Sequence, residues 1–405
     1  MDTTRADHLT PYGYLRPTTP FLARLAGEGV LFESIISPAA TTSPSIGSML
    51  TGVLPFEHGV RTVGSLGASA LDPQRPTVAE ILAGRGFDTA AFVSAITASA
   101  RFGFARGFRV FEEPDPEMRG QLSADQVNRS LLAWLRTRPR SGRFFALAHY
   151  FDVHDLQLQA PRAFTDAFVD RQVRGLARRI ARYDGELLFL DRNLAEVVET
   201  LDREGLSRTT AVIVTADHGQ GLGDHHFLTH GLLYEEQVRV PFIVRGPTVS
   251  RGIRVRERLS ALNLAPTILD LAGVPPSLWP SGLRGKSLRP WLDGGRAPAD
   301  RLILAESHNV LLRRRPPAPS RGEVYSAMDG AWKYVYYPRA PRGELFHLGR
   351  DPGELRDLSE AETARVQRLH QVLVDAGIMT PLAEWTPSDL PPAQLEALRA
   401  LGYVE

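Results

Sequence analysis

Three stretches of this sequence bring chemically competent side chains to the ends of structural elements. In 211–231, the β-branched run Val212 to Thr215 leads into Ala216-Asp217-His218-Gly219, the pattern of a buried parallel strand ending at a chemical site. Ligands of open α/β sheets sit beyond the carboxyl ends of strands, so Asp217 and His218 would arrive there as adjacent oxygen and nitrogen donors for a divalent metal. The same residues could instead cap a helix or close a turn. His225, His226 and His230 follow in a Gly-rich loop, more imidazoles than packing alone explains. In 41–52, Thr41, Thr42, Ser43 and Ser45 crowd around Pro44 ahead of the apolar Ile46 to Leu50. Hydroxyls thus gather at a helix N-terminus, where an anion is favoured and where ordinary caps also occur. Finally, the strand-like Phe144 to Ala148 ends in His149-Tyr150-Phe151-Asp152-Val153-His154, whose imidazoles either face the same edge or are satisfied by the backbone.

The elements that must position these groups follow from periodicity. Pro20 to Gly27 reads as a short amphipathic helix closed by glycine and followed by a strand, contributing core beneath the site. Residues 76–93 read helix, glycine turn, strand, one crossover of a parallel sheet. Val127, Leu131, Leu132 and Leu135 recur at helical spacing, and Tyr183 opens a long amphipathic helix that runs toward Leu201 and stops at Gly205. Asp184, Glu186 and Asp191 on it are expected to brace the fold more than act in chemistry. This α/β alternation yields a large, mostly parallel sheet sandwiched by helices. The arginine-rich 157–182 reads as a solvated helix or a flexible excursion, part of a lid, and Phe102 to Phe108 as cover on the substrate side.

Beyond Pro298 the texture changes. Short strands at 302–305, 324–328, 332–337 and 344–348, with Asp329-Gly330 as a hairpin turn, predict a small antiparallel subdomain. A helix near 359–376 packs on it, and another opens at Pro391-Pro392. The expected division is a metal-binding catalytic domain over 1–297 and a C-terminal α+β subdomain over 298–405.

Bulk properties bound the possibilities. The 405 residues are 43% hydrophobic and 23% charged, ordinary for a soluble globular protein of the bacterial cytoplasm or periplasm. A net charge of +1 implies neither nucleic acid nor a membrane surface as partner. With no cysteine, disulfides are excluded. No apolar run of about 18 residues occurs, so neither a membrane span nor a signal peptide is expected within these residues.

Together, Thr215-Ala216-Asp217-His218-Gly219, Thr229-His230-Gly231 and Tyr234-Glu235-Glu236 leading to Arg239-Val240-Pro241-Phe242 resemble the metal-binding segment of the sulfatases in the alkaline phosphatase superfamily. Asp2-Thr3-Thr4-Arg5-Ala6-Asp7-His8-Leu9 and Leu50-Thr51-Gly52-Val53-Leu54-Pro55 match the same family. The resemblance implies an alkaline phosphatase-like fold, a hydrolase of anionic esters, and Asp2 as a further metal ligand. It also implies a hydrophobic strand ahead of Asp2, which this chain does not carry; that strand and any export signal would lie upstream of Met1. His58 falls beside the second motif, with a site role or a structural loop role both open. By resemblance, His154 and His230 would contact the ester's anionic oxygens or protonate the leaving group, with Asp152 as an outer hydrogen-bond acceptor.

Two departures change the expected chemistry. Where the family has Cys or Ser followed by x-Pro-Ser-Arg, with the Cys or Ser converted to formylglycine, this chain has Thr42-Ser43-Pro44-Ser45-Ile46. No formylglycine is expected; the resemblance then implies an unmodified Thr42 hydroxyl as nucleophile, activated by a nearby ion. Thr3 also replaces the second of two adjacent aspartates. One divalent ion, Ca²⁺, Mg²⁺, Mn²⁺ or Zn²⁺, is expected on Asp2, Thr42, Asp217 and His218, with no upstream Asp-x-x-x-His run to supply a second. The expected substrate is a small-molecule, glycan or lipid-head-group ester of sulfate, phosphate or phosphonate. The alternatives are a transferase of phosphoethanolamine or glycerophosphate groups and a non-catalytic binding protein.

Overall fold

A computed structural model describes residues 1–62, 70–115, 121–139, 141–154, 160–170, 172–310, 322–339 and 342–381. Its strands are β1 (Val30–Ile36), β2 (Asp88–Val93), β3 (Val110–Glu112), β4 (Phe144–His149), β5 (Val212–Thr215), β6 (Arg239–Arg245), β7 (Ile253–Ser260), β8 (Leu302–Val310), β9 (Gly322–Asp329), β10 (Trp332–Tyr337) and β11 (Arg342–His347). Among the described residues they form sheets in the orders β3-β2-β4, β5-β6-β1-β7 and β11-β10-β9-β8.

The first sheet is wholly parallel, as its crossover helices require. The second is mixed: β1 and β7 run parallel, whereas β6 is antiparallel to both β1 and β5. The α/β class is as expected from sequence, but β5 is not a parallel strand within its sheet. The loop after it carries the chain back alongside, so β6 returns antiparallel. β4 and β5 are also only half-buried over most of their length.

These two strands end side by side around the N-terminus. Asp2 N–H donates to Tyr150 O at 2.8 Å, the Met1 amine donates to Thr215 O at 3.0 Å, and Asp217 N–H donates to Met1 O at 3.3 Å. The strand ends are thereby tied to Asp2 by backbone contacts.

Helices cover both faces. Pro20–Gly27, Ala124–Thr137 and Gly175–Arg203 bury Leu22, Leu25, Val127, Leu131, Leu187 and Leu190 against Phe92, Val214 and Ile243. On the other face, Leu264 and Trp291 pack on Phe32, Val240 and Phe242. The long helix starts at Gly175, earlier than the predicted Tyr183, because Leu176 to Arg182 are themselves good helix formers. The acids on this helix do brace the fold. Asp191 accepts the N–H groups of Phe21 and Leu22 at 2.8 and 2.9 Å, satisfying the open end of the Pro20–Gly27 helix. Asp184 accepts from Tyr14 and Arg16 at 2.8 and 2.6 Å.

The expected substrate-side cover at Phe102 to Phe108 is instead core. Phe102 and Phe104 are buried, stacked at 5.6 Å, and packed on Ile46 and Leu50. Apolar rings this large gain more by leaving water than by lining an opening.

The C-terminal antiparallel sheet matches expectation, with Trp332 paired to Asp329 across the hairpin and the helix Thr363–Asp375 packed on it. Its core is shared with the body: Ile36, Ala40 and Tyr234 pack with Ile303, Val324, Met328 and Val335. The helix expected after Pro391 lies outside the described residues.

Candidate active site

The site assembles where β4, β5 and the chain start converge and where the helix Thr42–Thr51 begins. Thr41 is extended, at φ −148° and ψ 146°, so the helix starts abruptly and presents the Thr42 hydroxyl at its first turn. Thr42 Oγ1 donates to Asp2 Oδ2 at 3.1 Å and lies 3.4 Å from His218 Nε2. His218 Nε2 is 3.8 Å from Asp2 Oδ1 and 3.7 Å from Asp217 Oδ2. The four metal ligands expected from sequence, Asp2, Thr42, Asp217 and His218, are therefore brought together, each at most 3% exposed.

Their orientation is fixed from behind. His218 Nδ1 lies 2.9 Å from Gly219 O; a carbonyl only accepts, so Nδ1 is the donor there and Nε2 faces the carboxylates. Asp217 Oδ1 accepts His218 N–H at 2.7 Å, leaving Oδ2 inward. Gly219 is required by close approach, since a Cβ there would stand 2.1 Å from Glu236 O. Thr3, next to Asp2, holds φ 47°, a strained conformation for a β-branched residue, and its carbonyl accepts the Tyr183 hydroxyl at 2.8 Å.

The donor set fits a cation. Among the described residues, Asp2 Oδ1, Asp217 Oδ2 and His149 Nε2 are buried without a hydrogen-bond partner, and one ligand atom from each of these residues lies within 4.8 Å of the others. Orphaned buried polar atoms are costly, and carboxylate oxygens facing imidazole lone pairs are balanced by a positive ion. Burial pushes the Asp2 carboxyl up, but contact with His149 and the nearby His218 and His154 outweighs it and holds the group well below the usual carboxylate range. Burial and the Asp2 charge push Asp217 up.

His154 and His230 stand beside this cluster, with their Nε2 atoms 3.3 Å apart and the His230 ring 4.5 Å from that of His218. His230 Nδ1 donates to Ala40 O at 3.0 Å. Burial, with His218 and His154 nearby, holds His230 well below the usual imidazole value, so it is neutral.

Other candidate groups turn elsewhere. Asp152 Oδ1 accepts Ala124 N–H at 2.9 Å and so braces the helix Ala124–Thr137, with burial lifting its pKa to about 6. His58 is structural: Nε2 meets Ser48 Oγ at 3.0 Å, and burial lowers its pKa to about 4. His225 stacks on Tyr234 at 3.7 Å and contacts Glu236 at 3.1 Å, while His226 is exposed. Sequence reading left His149 open between facing this edge and a backbone partner and did not count it among the metal ligands; the structure turns its Nε2 toward Asp2 Oδ2, 3.4 Å away.

The sulfatase family model matches residues 1–274, and the model described as N-sulphoglucosamine sulphohydrolase, C-terminal, matches 223–376. The chain is 25% identical to a Delta 4,5-hexuronate-2-O-sulfatase of Bacteroides thetaiotaomicron, over 92% of this chain and 87% of that protein. It is 31% identical to a choline-sulfatase of Rhizobium meliloti, over 44% of this chain and 32% of that protein. Among solved structures, the phosphonate monoester hydrolase of Agrobacterium radiobacter superposes with a TM-score of 0.75 at 20% identity, covering 93% of this chain and 94% of that one. A chain matched by one family model over its first 274 residues, with that fold across nearly its full length, belongs to the sulfatase family of ester hydrolases in the alkaline phosphatase superfamily.

Proposed function

We propose that this protein hydrolyses a sulfate, phosphate or phosphonate ester with Thr42 as nucleophile and one divalent ion held by Asp2, Thr42, Asp217 and His218. The observation that carries this reading is the contact of Thr42 Oγ1 with Asp2 Oδ2 at 3.1 Å and His218 Nε2 at 3.4 Å, which joins residues from three distant parts of the chain. A bound divalent ion supplies Lewis-acid charge that neutralises the carboxylates and lowers the pKa of an adjacent hydroxyl. Thr42 Oγ1 forms a bond to sulfur or phosphorus as the bond to the ester oxygen breaks, and its proton moves toward Asp2 Oδ2. The departing oxygen takes a proton from His154 in its protonated form. Water then attacks the Thr42 ester: its oxygen joins the sulfur or phosphorus as the bond to Thr42 Oγ1 breaks, one of its protons returns to His154, and Thr42 Oγ1 recovers its own from Asp2, which releases the acid. The relative acting on a hexuronate 2-O-sulfate supports a glycan ester as the first class to test.

The test compares p-nitrophenyl sulfate, phosphate, phosphodiester and phosphonate with Mn²⁺, using wild type and Thr42→Ala. Turnover of at least one ester that falls by about 10³-fold or more in the variant is the expected result. Product appearing on an added alcohol in place of water would favour a transferase. No turnover with the ion bound would favour the binding-protein reading, which the apolar, buried Ile46 in the family's arginine position also suits.

A further inference from the structure

We propose that His149 is a fifth donor to the ion and that its nitrogen makes the site prefer a borderline cation such as Zn²⁺ over Ca²⁺. The inference rests on the metal site just proposed. His149 is the last residue of β4 and pairs with Val93 of β2, so its backbone is anchored within the parallel sheet. Its ring is held from both sides: Nδ1 lies 3.3 Å from Ser94 Oγ, and Phe151 flanks the ring at 6.4 Å. Nε2 then points into the cluster, 3.4 Å from Asp2 Oδ2, buried and without a hydrogen-bond partner.

This geometry suits ligation. A metal-binding imidazole uses one nitrogen for the ion and gives the other to a positioning partner, the relation His149 has to Ser94 and His218 to Gly219. The inward set becomes two carboxylates, two imidazoles and one hydroxyl. Ca²⁺ takes six to eight oxygen donors, whereas imidazole suits Zn²⁺ and its transition-metal neighbours. Thr3 stands where a second aspartate would have added a carboxylate beside Asp2, and His149 adds nitrogen to the same buried cluster.

The experiment strips the 405-residue chain of metal and titrates it calorimetrically with Zn²⁺ and Ca²⁺, comparing wild type, His149→Ala and Asp217→Asn. Electron spin-echo spectra of the Mn²⁺-loaded wild type count coordinated nitrogens without any substitution. Two nitrogens in wild type and one in His149→Ala are expected, with the Zn²⁺-over-Ca²⁺ preference dropping about tenfold or more in that variant. A single nitrogen in wild type, or an unchanged preference in a folded His149→Ala protein, overturns the assignment. Loss of binding in Asp217→Asn together with either result leaves the parent metal site standing. Unchanged binding in Asp217→Asn sinks the parent site as well.

Discussion

Glu186 shows how one buried carboxyl couples this fold to pH. It is 1% exposed on the long helix, with Oε2 accepting Ala160 N–H at 3.3 Å and Oε1 without a partner. Burial, then the Asp152 charge, raises its pKa to about 8. The unfolded value is about 4.3, so between the two values the folded chain keeps a proton that the unfolded chain loses. Stability therefore falls as pH rises from about 4 to about 8, the reverse of a salt-bridged carboxylate. Replacing the group by a neutral isostere, Glu186→Gln, is expected to flatten that slope and to stabilise the protein at pH 8 by several kcal/mol, about 5 at most, with little change at pH 4. Urea melts at both values check it, and a variant equally destabilised at both would refute the buried-proton account.

An element matters here for where it aims its end. The helix Thr42–Thr51 lies over His58 so closely that a Cβ on Gly47 would stand 2.6 Å from the imidazole, and Ser48 Oγ meets that ring at 3.0 Å. That packing, with Phe102 and Phe104 beneath, fixes the direction in which Thr42 faces the carboxylates. The helix Pro20–Gly27 is held differently, by Asp191 accepting two N–H groups at its open end. Asp191→Ala removes both acceptors and is expected to cost about 1–3 kcal/mol, read as a lowered thermal midpoint. The helix supports β1 from below and carries no group of the reactive cluster, so kcat of the folded variant should stay within about twofold of wild type. A large kcat loss would mean that the helix also aligns the site.

Across the whole molecule, the boundary expected near residue 298 separates textures and not cores. Ile36, Ala40 and Tyr234 share one apolar cluster with Ile303, Val324 and Val335. Arg61 crosses the same junction, pairing with Glu306 at 2.6 Å and donating to Thr380 O at 2.6 Å and Ile378 O at 3.1 Å. Arg61 is buried, so removing Glu306 and the Thr380 and Ile378 carbonyls would leave its charge uncompensated. We therefore expect a 1–297 fragment to be insoluble or molten, because truncation exposes this cluster, whereas the 405-residue chain melts in one cooperative step. Calorimetry on both, with a well-folded fragment as the contrary result, decides it.

What the sequence determined by itself was local. An apolar run breaking into Asp217-His218 marks a strand end, hydroxyls ahead of Ile46 mark a helix start, and Asp329-Gly330 marks a hairpin, because periodicity, caps and turns are set by near neighbours. The family motifs added Asp2, His154 and His230, and the structure brings those together with the rest. Only tertiary structure decided which imidazoles face inward. His149 and His218 are turned by Ser94 and Gly219, His58 and His225 by Ser48 and Glu236, and His149 and His58 owe their aim to side chains of other segments. The antiparallel return of β6 was equally hidden, since strand direction is chosen by the path of the connection and the partner edge and leaves no periodic trace in the chain.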